Sequence, residues 1–385
     1  MAAALGIRLL LIATTFGTTD AFLFMIWTHL AEHNGIAGAY ALVPLLNHPP
    51  LSMAIAIAAD RLGASIGLEF PDIFRLVQVL ADILTASVVY ALARTFQPAR
   101  AREYTALFFA SPAAIMLSGF HCNSDPTMVA LLMTAVWAAV TQRAALSGTF
   151  FGLSSGIKIV PLPLSPFFLI DFNWRRRIAF AAATLVAIAI AFLPGATGGL
   201  IMIRNVLGYA GTGYQWGFSG LGYITAYIAR PLMNAGFAWM MFYSQWGRWI
   251  VILALGGLFF FYLRYRTPLP AMIAVALLAM NFFSPGFGVQ YLIWPLALLP
   301  FAVPRRLAYT INLALSVFLF ATYTIWSREF PWWFADAAAN NPYRPIIAFL
   351  AIPLWALYGV AIFVSLRQSA RQLASEQLAE GRAGN

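Results

Sequence analysis

The chain has 385 residues, of which 62% are hydrophobic and only 9% charged, with a formal net charge of +10. An ordinary water-soluble domain carries about 25% charged residues, so that class is excluded. The positive balance does not make a nucleic-acid binder, because the arginines sit in short clusters between apolar runs, a pattern that reports membrane topology.

Many of the apolar runs reach the ~17–25 residues that a helix needs to cross a bilayer core. Several are apolar on every face, which is not the alternation of a barrel strand. The expected fold class is all-α, a polytopic membrane bundle of about 12 crossings with two long outer-face segments that carry amphipathic helices. Arginine clusters mark the cytoplasmic side, and one path alternates consistently. From Arg8 inside, the first span ends near Thr18 and delivers Asp20 outside, where segment 20–71 stays. Span 72–93 returns to Arg94, Arg100 and Arg102; it holds Asp82 at mid-membrane, with Arg75 two turns earlier, and is expected to pair it with a polar partner in the bundle. Span 104–119 exits to 121–125, and span 127–140 returns to Arg143. Cys122, in that outer turn, is the single cysteine, which excludes an internal disulfide and any cysteine-based metal cluster.

Two half-spans, 145–157 and 159–172, both begin and end inside, so Lys158, the only lysine, sits at their turn. Span 178–194 exits to a second outer segment, 195–246, rich in Gly, Tyr and Trp. Spans 249–263, 268–282, 291–303, 308–324 and 345–366 complete the path, with residues 367–385 as a polar cytoplasmic tail. Residues 1–366 read as a single transmembrane domain in the cell membrane, with both termini cytoplasmic.

On this path His29, His33, His48, His121, Asp20 and Asp125 all fall on the outer face. Ionisable groups near membrane depth are costly, so their collection on one side points to a functional site. Asp20, held against an apolar helix, is expected to have its pKa raised by desolvation and to accept a proton; the competing account is a helix N-cap. Asn47-His48-Pro49-Pro50-Leu51 holds Asn47 and His48 in a stiff loop. In His121-Cys122-Asn123-Ser124-Asp125-Pro126, Asp125 serves either the site or the cap of the helix that follows. The Lys158 ammonium needs an anion, and a lipid phosphate is the natural one. Arg204, Tyr214 and Trp216 belong to the second outer segment, whose aromatic faces suit sugar rings. Gln290 and Tyr291 follow a Pro/Gly-broken loop, with Gln290 placed to bond a sugar hydroxyl. His29, Glu32 and His33 share a helix face but lack a third ligand from elsewhere, so no cofactor is assigned and a divalent metal is not favoured.

The order of these motifs, from Asp20 to Trp294 and including Gly156-Ile157-Lys158-Ile159-Val160-Pro161 and Ser284-Pro285-Gly286-Phe287-Gly288-Val289-Gln290-Tyr291, resembles the GT-C superfamily of membrane glycosyltransferases. Within it the chain is most similar to the bacterial polyprenyl-phosphate mannosyltransferase-like group. The resemblance implies transfer of a hexose such as mannose from a polyprenyl-phosphate donor to a glycolipid or glycan hydroxyl on the outer face, with inversion. It implies Asp20 as general base, Lys158 and Arg204 as cations for the leaving phosphate, and His48, His121 and Asp125 completing the pocket. Many members carry paired acidic residues in the first loop, whereas here Thr18 and Thr19 precede Asp20, which argues against metal assistance. The rival reading from another class is a multi-pass transporter or flippase, which predicts matched polar groups near the midplane of two halves.

Overall fold

Proline at or next to the first position opens many of the helices, as at Pro50, Pro71, Pro112, Pro126 and Pro270, where its fixed φ suits the helix and its missing N–H is not needed. The computed structural model describes residues 1–208, 216–337 and 344–383. In chain order its helices are α1 (Ala2–Thr14), α2 (Thr19–Leu42), α3 (Pro50–Ile66), α4 (Phe70–Phe96), α5 (Ala101–Phe109) and α6 (Pro112–Gly119). Then come α7 (Asp125–Val140), α8 (Ala144–Ile157), α9 (Ser165–Ile170), α10 (Trp174–Phe192), α11 (Gly199–Gly208) and α12 (Gly217–Ile228). The last six are α13 (Met233–Tyr265), α14 (Leu269–Phe283), α15 (Ile293–Leu296), α16 (Leu299–Ala302), α17 (Arg305–Ser327) and α18 (Arg344–Ala383). A two-residue parallel ladder joins β1 (Gly17–Thr18) to β2 (Phe334–Ala335).

Among the described residues, five helical stretches are long and apolar enough to cross a membrane: Phe70–Phe96, Trp174–Gly208, Met233–Tyr265, Arg305–Ser327 and Arg344–Leu373. Helices α1, α7, α8 and α14 are apolar but only 13, 16, 14 and 15 residues long. At 1.5 Å per residue they span roughly 20–24 Å, short of the ~30 Å hydrocarbon core.

Two runs expected as single spans are broken. Run 104–119 divides before Pro112, where Ser111 turns extended and its hydroxyl caps α6 by accepting from the Ala114 N–H at 3.4 Å. Run 291–303 is cut into the short α15 and α16, each with a proline. The helix of span 249–263 begins earlier than expected: α13 starts at Met233, because the aromatic and apolar stretch before 249 continues the same helix.

Helices α8 and α10 pack at close range through Gly148, Gly152 and Gly156, spaced four apart on one face of α8. A Cβ on Gly152 would stand 2.6 Å from both the Ala187 Cβ and the Thr184 carbonyl oxygen.

Arg8, expected as a cytoplasmic marker, is fully buried within the bundle. Its Nη2 lies 2.8 Å from Asp82 Oδ2, its Nε donates to Ser118 Oγ at 2.9 Å, and its Nη1 donates to the Phe109 carbonyl at 2.8 Å. The polar partner expected for Asp82 is therefore Arg8 and not Arg75. Arg75 instead donates to the carbonyls of Ile12 at 3.1 Å and Thr15 at 2.7 Å, and so caps the C-terminal end of α1 with positive charge. A buried pair of this kind needs its remaining hydrogen bonds supplied; they are for both guanidinium groups, while Asp82 Oδ1 finds no hydrogen-bond donor among the described residues.

Buried apolar side chains form a large cluster over α4 to α8 and α14 to α18, and a smaller one over α2, α3 and the start of α4. The cavity described next lies on the seam between them.

Candidate active site

Asp20 owes its position to the residues before it. Gly17 has φ +111°, and a Cβ there would sit 2.8 Å from the Phe120 carbonyl oxygen, so the chain can lie against the turn after α6 only as glycine. Thr18 donates its hydroxyl to the His121 carbonyl at 2.6 Å and accepts from the Asp20 N–H at 3.3 Å. Thr18 is thus the N-cap of α2, and the Asp20 carboxylate, in the first helical turn, is left for other work.

The facing turn is strained. Cys122 adopts φ +64°, a left-handed conformation that costs a residue with a side chain about 1–2 kcal/mol. It is retained where neighbours over-determine it. The kink sets His121 and Asn123 on the two sides of Asp20: Asn123 Nδ2 donates to Oδ2, and His121 Nε2 lies 3.2 Å from the same oxygen. Asp125, two residues on, does not cap α7. Its carboxylate takes Lys158 Nζ at 2.6 Å on Oδ2 and Trp294 Nε1 at 2.6 Å on Oδ1. The anion for Lys158 is therefore a protein carboxylate within the fold, and the Tyr291 ring, 5.2 Å from Nζ, covers another side of the ammonium. Tyr291 stacks on Trp294 with centroids 4.3 Å apart.

Several of these groups line a cavity of about 580 Å³. Asp20, Asn47, His48, Asn123, Lys158, Gln290 and Tyr291 supply its polar lining, and side chains such as Phe24, Trp27, Val43, Ile159 and Met280 make the rest of the wall apolar. Asp20 keeps 25% of its side-chain surface exposed, towards this space.

Burial by itself would push the Asp20 carboxyl up, as expected from its position, but the opposite results. Hydrogen bonding from His121 and Asn123, together with the charges of His121 and Lys158, outweighs desolvation and holds it at about 2. Burial, and then the Lys158 charge, push the His48 imidazole down to about 3 against a pull from Asp20. At neutral pH the cavity thus holds an ionised Asp20 and an uncharged His48, whose Nδ1 lies 3.4 Å from Ser124 Oγ.

His121 and Asp125 stand behind the wall and act on Asp20 and Lys158. Trp216 is not at the cavity: it is buried, donates Nε1 to the Asn281 carbonyl at 2.7 Å and stacks on Phe287 at 4.2 Å, because an indole of that size is worth more in the core. Arg204 is exposed on α11 and does not line the cavity, since that face of the helix turns away from it. Tyr214 lies outside the described residues. His29 and His33 are exposed, and Glu32 pairs with Arg61 at 2.9 Å. Two site residues escape sequence reasoning. Asn123 sits inside the 121–125 motif yet passes for a turn residue, and Trp294 lies in an apolar run, where its indole N–H, which must find a partner when buried, is the one clue.

Fold and site together define an all-α membrane protein with a large, mostly apolar cavity whose lining includes both a carboxylate and a lysine. Residues 48–285 match the family model described as Glycosyltransferase family 87. That is more than half of the chain, which belongs to this family and is a GT-C-type membrane glycosyltransferase. The match takes in His48, His121, Asn123, Asp125 and Lys158, while Asp20, Gln290, Tyr291 and Trp294 lie beyond its ends. No curated protein matches the chain.

Proposed function

We propose that the cavity transfers a hexose, with mannose the first choice, from a polyprenyl-phosphate donor to the hydroxyl of a glycolipid or glycan acceptor on the outer face of the cell membrane. The observation that carries this reading is the pairing of Asp20 and Lys158 in one cavity whose remaining wall is apolar. An apolar wall suits a lipid-linked donor, and the two charged groups suit the two ends of a displacement at the anomeric carbon.

In that displacement the acceptor oxygen bonds to the anomeric carbon as the bond to the phosphate oxygen breaks, and the electron pair leaves on the phosphate. Attack from the face opposite the phosphate inverts the centre. The acceptor proton passes to Asp20. A carboxylate held at about 2 is a weak base towards a free alcohol, but the hydroxyl becomes strongly acidic as its oxygen bonds to carbon, so the proton moves late. Lys158 stabilises the charge growing on the leaving phosphate with the N–H groups that Asp125 does not take. His48, Asn47 and Gln290 are placed to bond sugar hydroxyls.

The test is transfer by purified protein in nanodiscs, with a panel of radiolabelled polyprenyl-phosphate sugars and total lipid extract as acceptor. Label should move into a new product with one donor, and Asp20→Asn should lower the rate by about a hundredfold or more. Transfer with Asp20→Asn near wild type would remove Asp20 from the chemistry. No transfer from any donor by folded protein would turn attention to transport in proteoliposomes.

A further inference from the structure

Asp20 Oδ2 receives the Asn123 amide and faces His121 Nε2 at 3.2 Å. The other ring nitrogen, His121 Nδ1, lies 2.9 Å from the hydroxyl of Tyr323, a residue 202 positions further along the chain on α17. Both partners are buried, His121 to 3% and Tyr323 to 0% exposure, with the phenol ring packed between Phe120 and Trp332 at centroid distances of 5.1 and 5.6 Å. We propose that Tyr323 is a positioning residue for sugar transfer that acts through His121, its hydroxyl selecting the imidazole form that presents N–H to Asp20. The proposal rests on the reading of Asp20 as the proton acceptor.

A bare Nε2 lone pair 3.2 Å from a carboxylate oxygen would set two acceptors against each other in a buried site, so Nε2 carries a hydrogen. In a neutral imidazole Nδ1 is then bare and needs a donor. The Tyr323 hydroxyl is the donor that the described residues place there. If the ring gains a second proton, the same oxygen accepts from Nδ1–H, so one phenol serves both charge states. The contact between Nε2 and Asp20 does not meet strict hydrogen-bond geometry here, and in many active sites such contacts tighten only with substrate bound.

The Asn123 amide donates to Oδ2, and His121 Nε2 faces the same oxygen. They hold the carboxylate in one rotation and leave Oδ1 for the acceptor hydroxyl. A tautomer with its proton on Nδ1 would release that hold. The ring contributes packing and the hydroxyl contributes orientation, so the two are separable by experiment.

The experiment is the nanodisc transfer assay with Tyr323→Phe, His121→Gln and the double variant, each checked for melting temperature. Tyr323→Phe should lower kcat by about tenfold or more at unchanged donor KM and near-native melting temperature. Added to His121→Gln it should cost nothing further, because its effect runs through the ring that is already gone. Wild-type kcat in Tyr323→Phe, or losses that multiply in the double variant, would overturn the proposal. Should Tyr323→Phe melt early, a ring-fluorinated tyrosine at position 323 keeps the shape and sharpens the donor. A changed kcat at constant donor KM then supports the proposal, and an unchanged one overturns it. An active Asp20→Asn is a separate result that would sink the reading of the base, whatever position 323 does.

Discussion

His48 is held at about 3 against an ordinary value of 6.5, chiefly by burial and then by the Lys158 charge. Between those values the unfolded chain binds a proton there that the folded chain refuses, so stability is full above the window and falls as pH drops through it. The melting temperature of the purified protein should therefore decline from about pH 7 to about pH 4, and decline less in His48→Gln. Equal slopes for the two proteins would show that His48 is not the group responsible. Asp20 works in the same direction over a lower window: its depressed value adds stability above its ordinary 3.8 that is lost only as pH falls towards about 2. Its identity and place after the first helix were legible in the sequence, but the direction of its titration was not. Desolvation can be guessed from an apolar flank, whereas the donors that reverse it come from residues 121 and 123, a hundred positions away.

At the scale of elements, the seam between α8 and α10 depends on the absence of side chains. Gly152→Val would drive methyl groups into the Ala187 Cβ and the Thr184 carbonyl, where neither neighbour is a flexible side chain that can move aside. A loss of about 1–3 kcal/mol is expected, from overpacking alone. Thermal unfolding in detergent checks it, and a melting temperature equal to wild type would mean that α10 is free to shift. Because Lys158 directly follows the end of α8, the same variant should also loosen the Lys158–Asp125 pair. Single apolar helices were visible as hydrophobic runs. Their breaks were harder: Pro112, Pro295 and Pro300 are plain in the sequence, but proline is tolerated inside membrane helices when neighbours satisfy the freed groups, so the run alone does not say whether it continues.

For the whole molecule, the expectation from the arginine pattern is that 20–71 lies outside and Arg100 inside. Asn34 and Arg100 are both exposed, and Cys122 is buried and gives little background to thiol labelling. Asn34→Cys should react with a membrane-impermeant maleimide on intact cells, and Arg100→Cys only after permeabilisation. The reverse result would place the cavity on the cytoplasmic side and remove the outer-face reading. Arg8 shows how the rule loses force: a cation used as a topology marker is consumed by Asp82 inside the bundle.

What the sequence determined by itself is the class, an all-α membrane protein resembling GT-C glycosyltransferases, because hydrophobic run length and motif order are properties of the chain taken in line. It also singled out Asp20, His48, Asp125 and Lys158, since charges and imidazoles stand out against so apolar a background. Only the tertiary structure decided how they are connected: Asp125 to Lys158 and Trp294, His121 to Asp20 and Tyr323, Arg8 to Asp82. It also withdrew Trp216 and Arg204 from the cavity. The physical reason is that a buried polar group must find a partner, and in a helical bundle that partner comes from another helix at a sequence distance that no local pattern encodes.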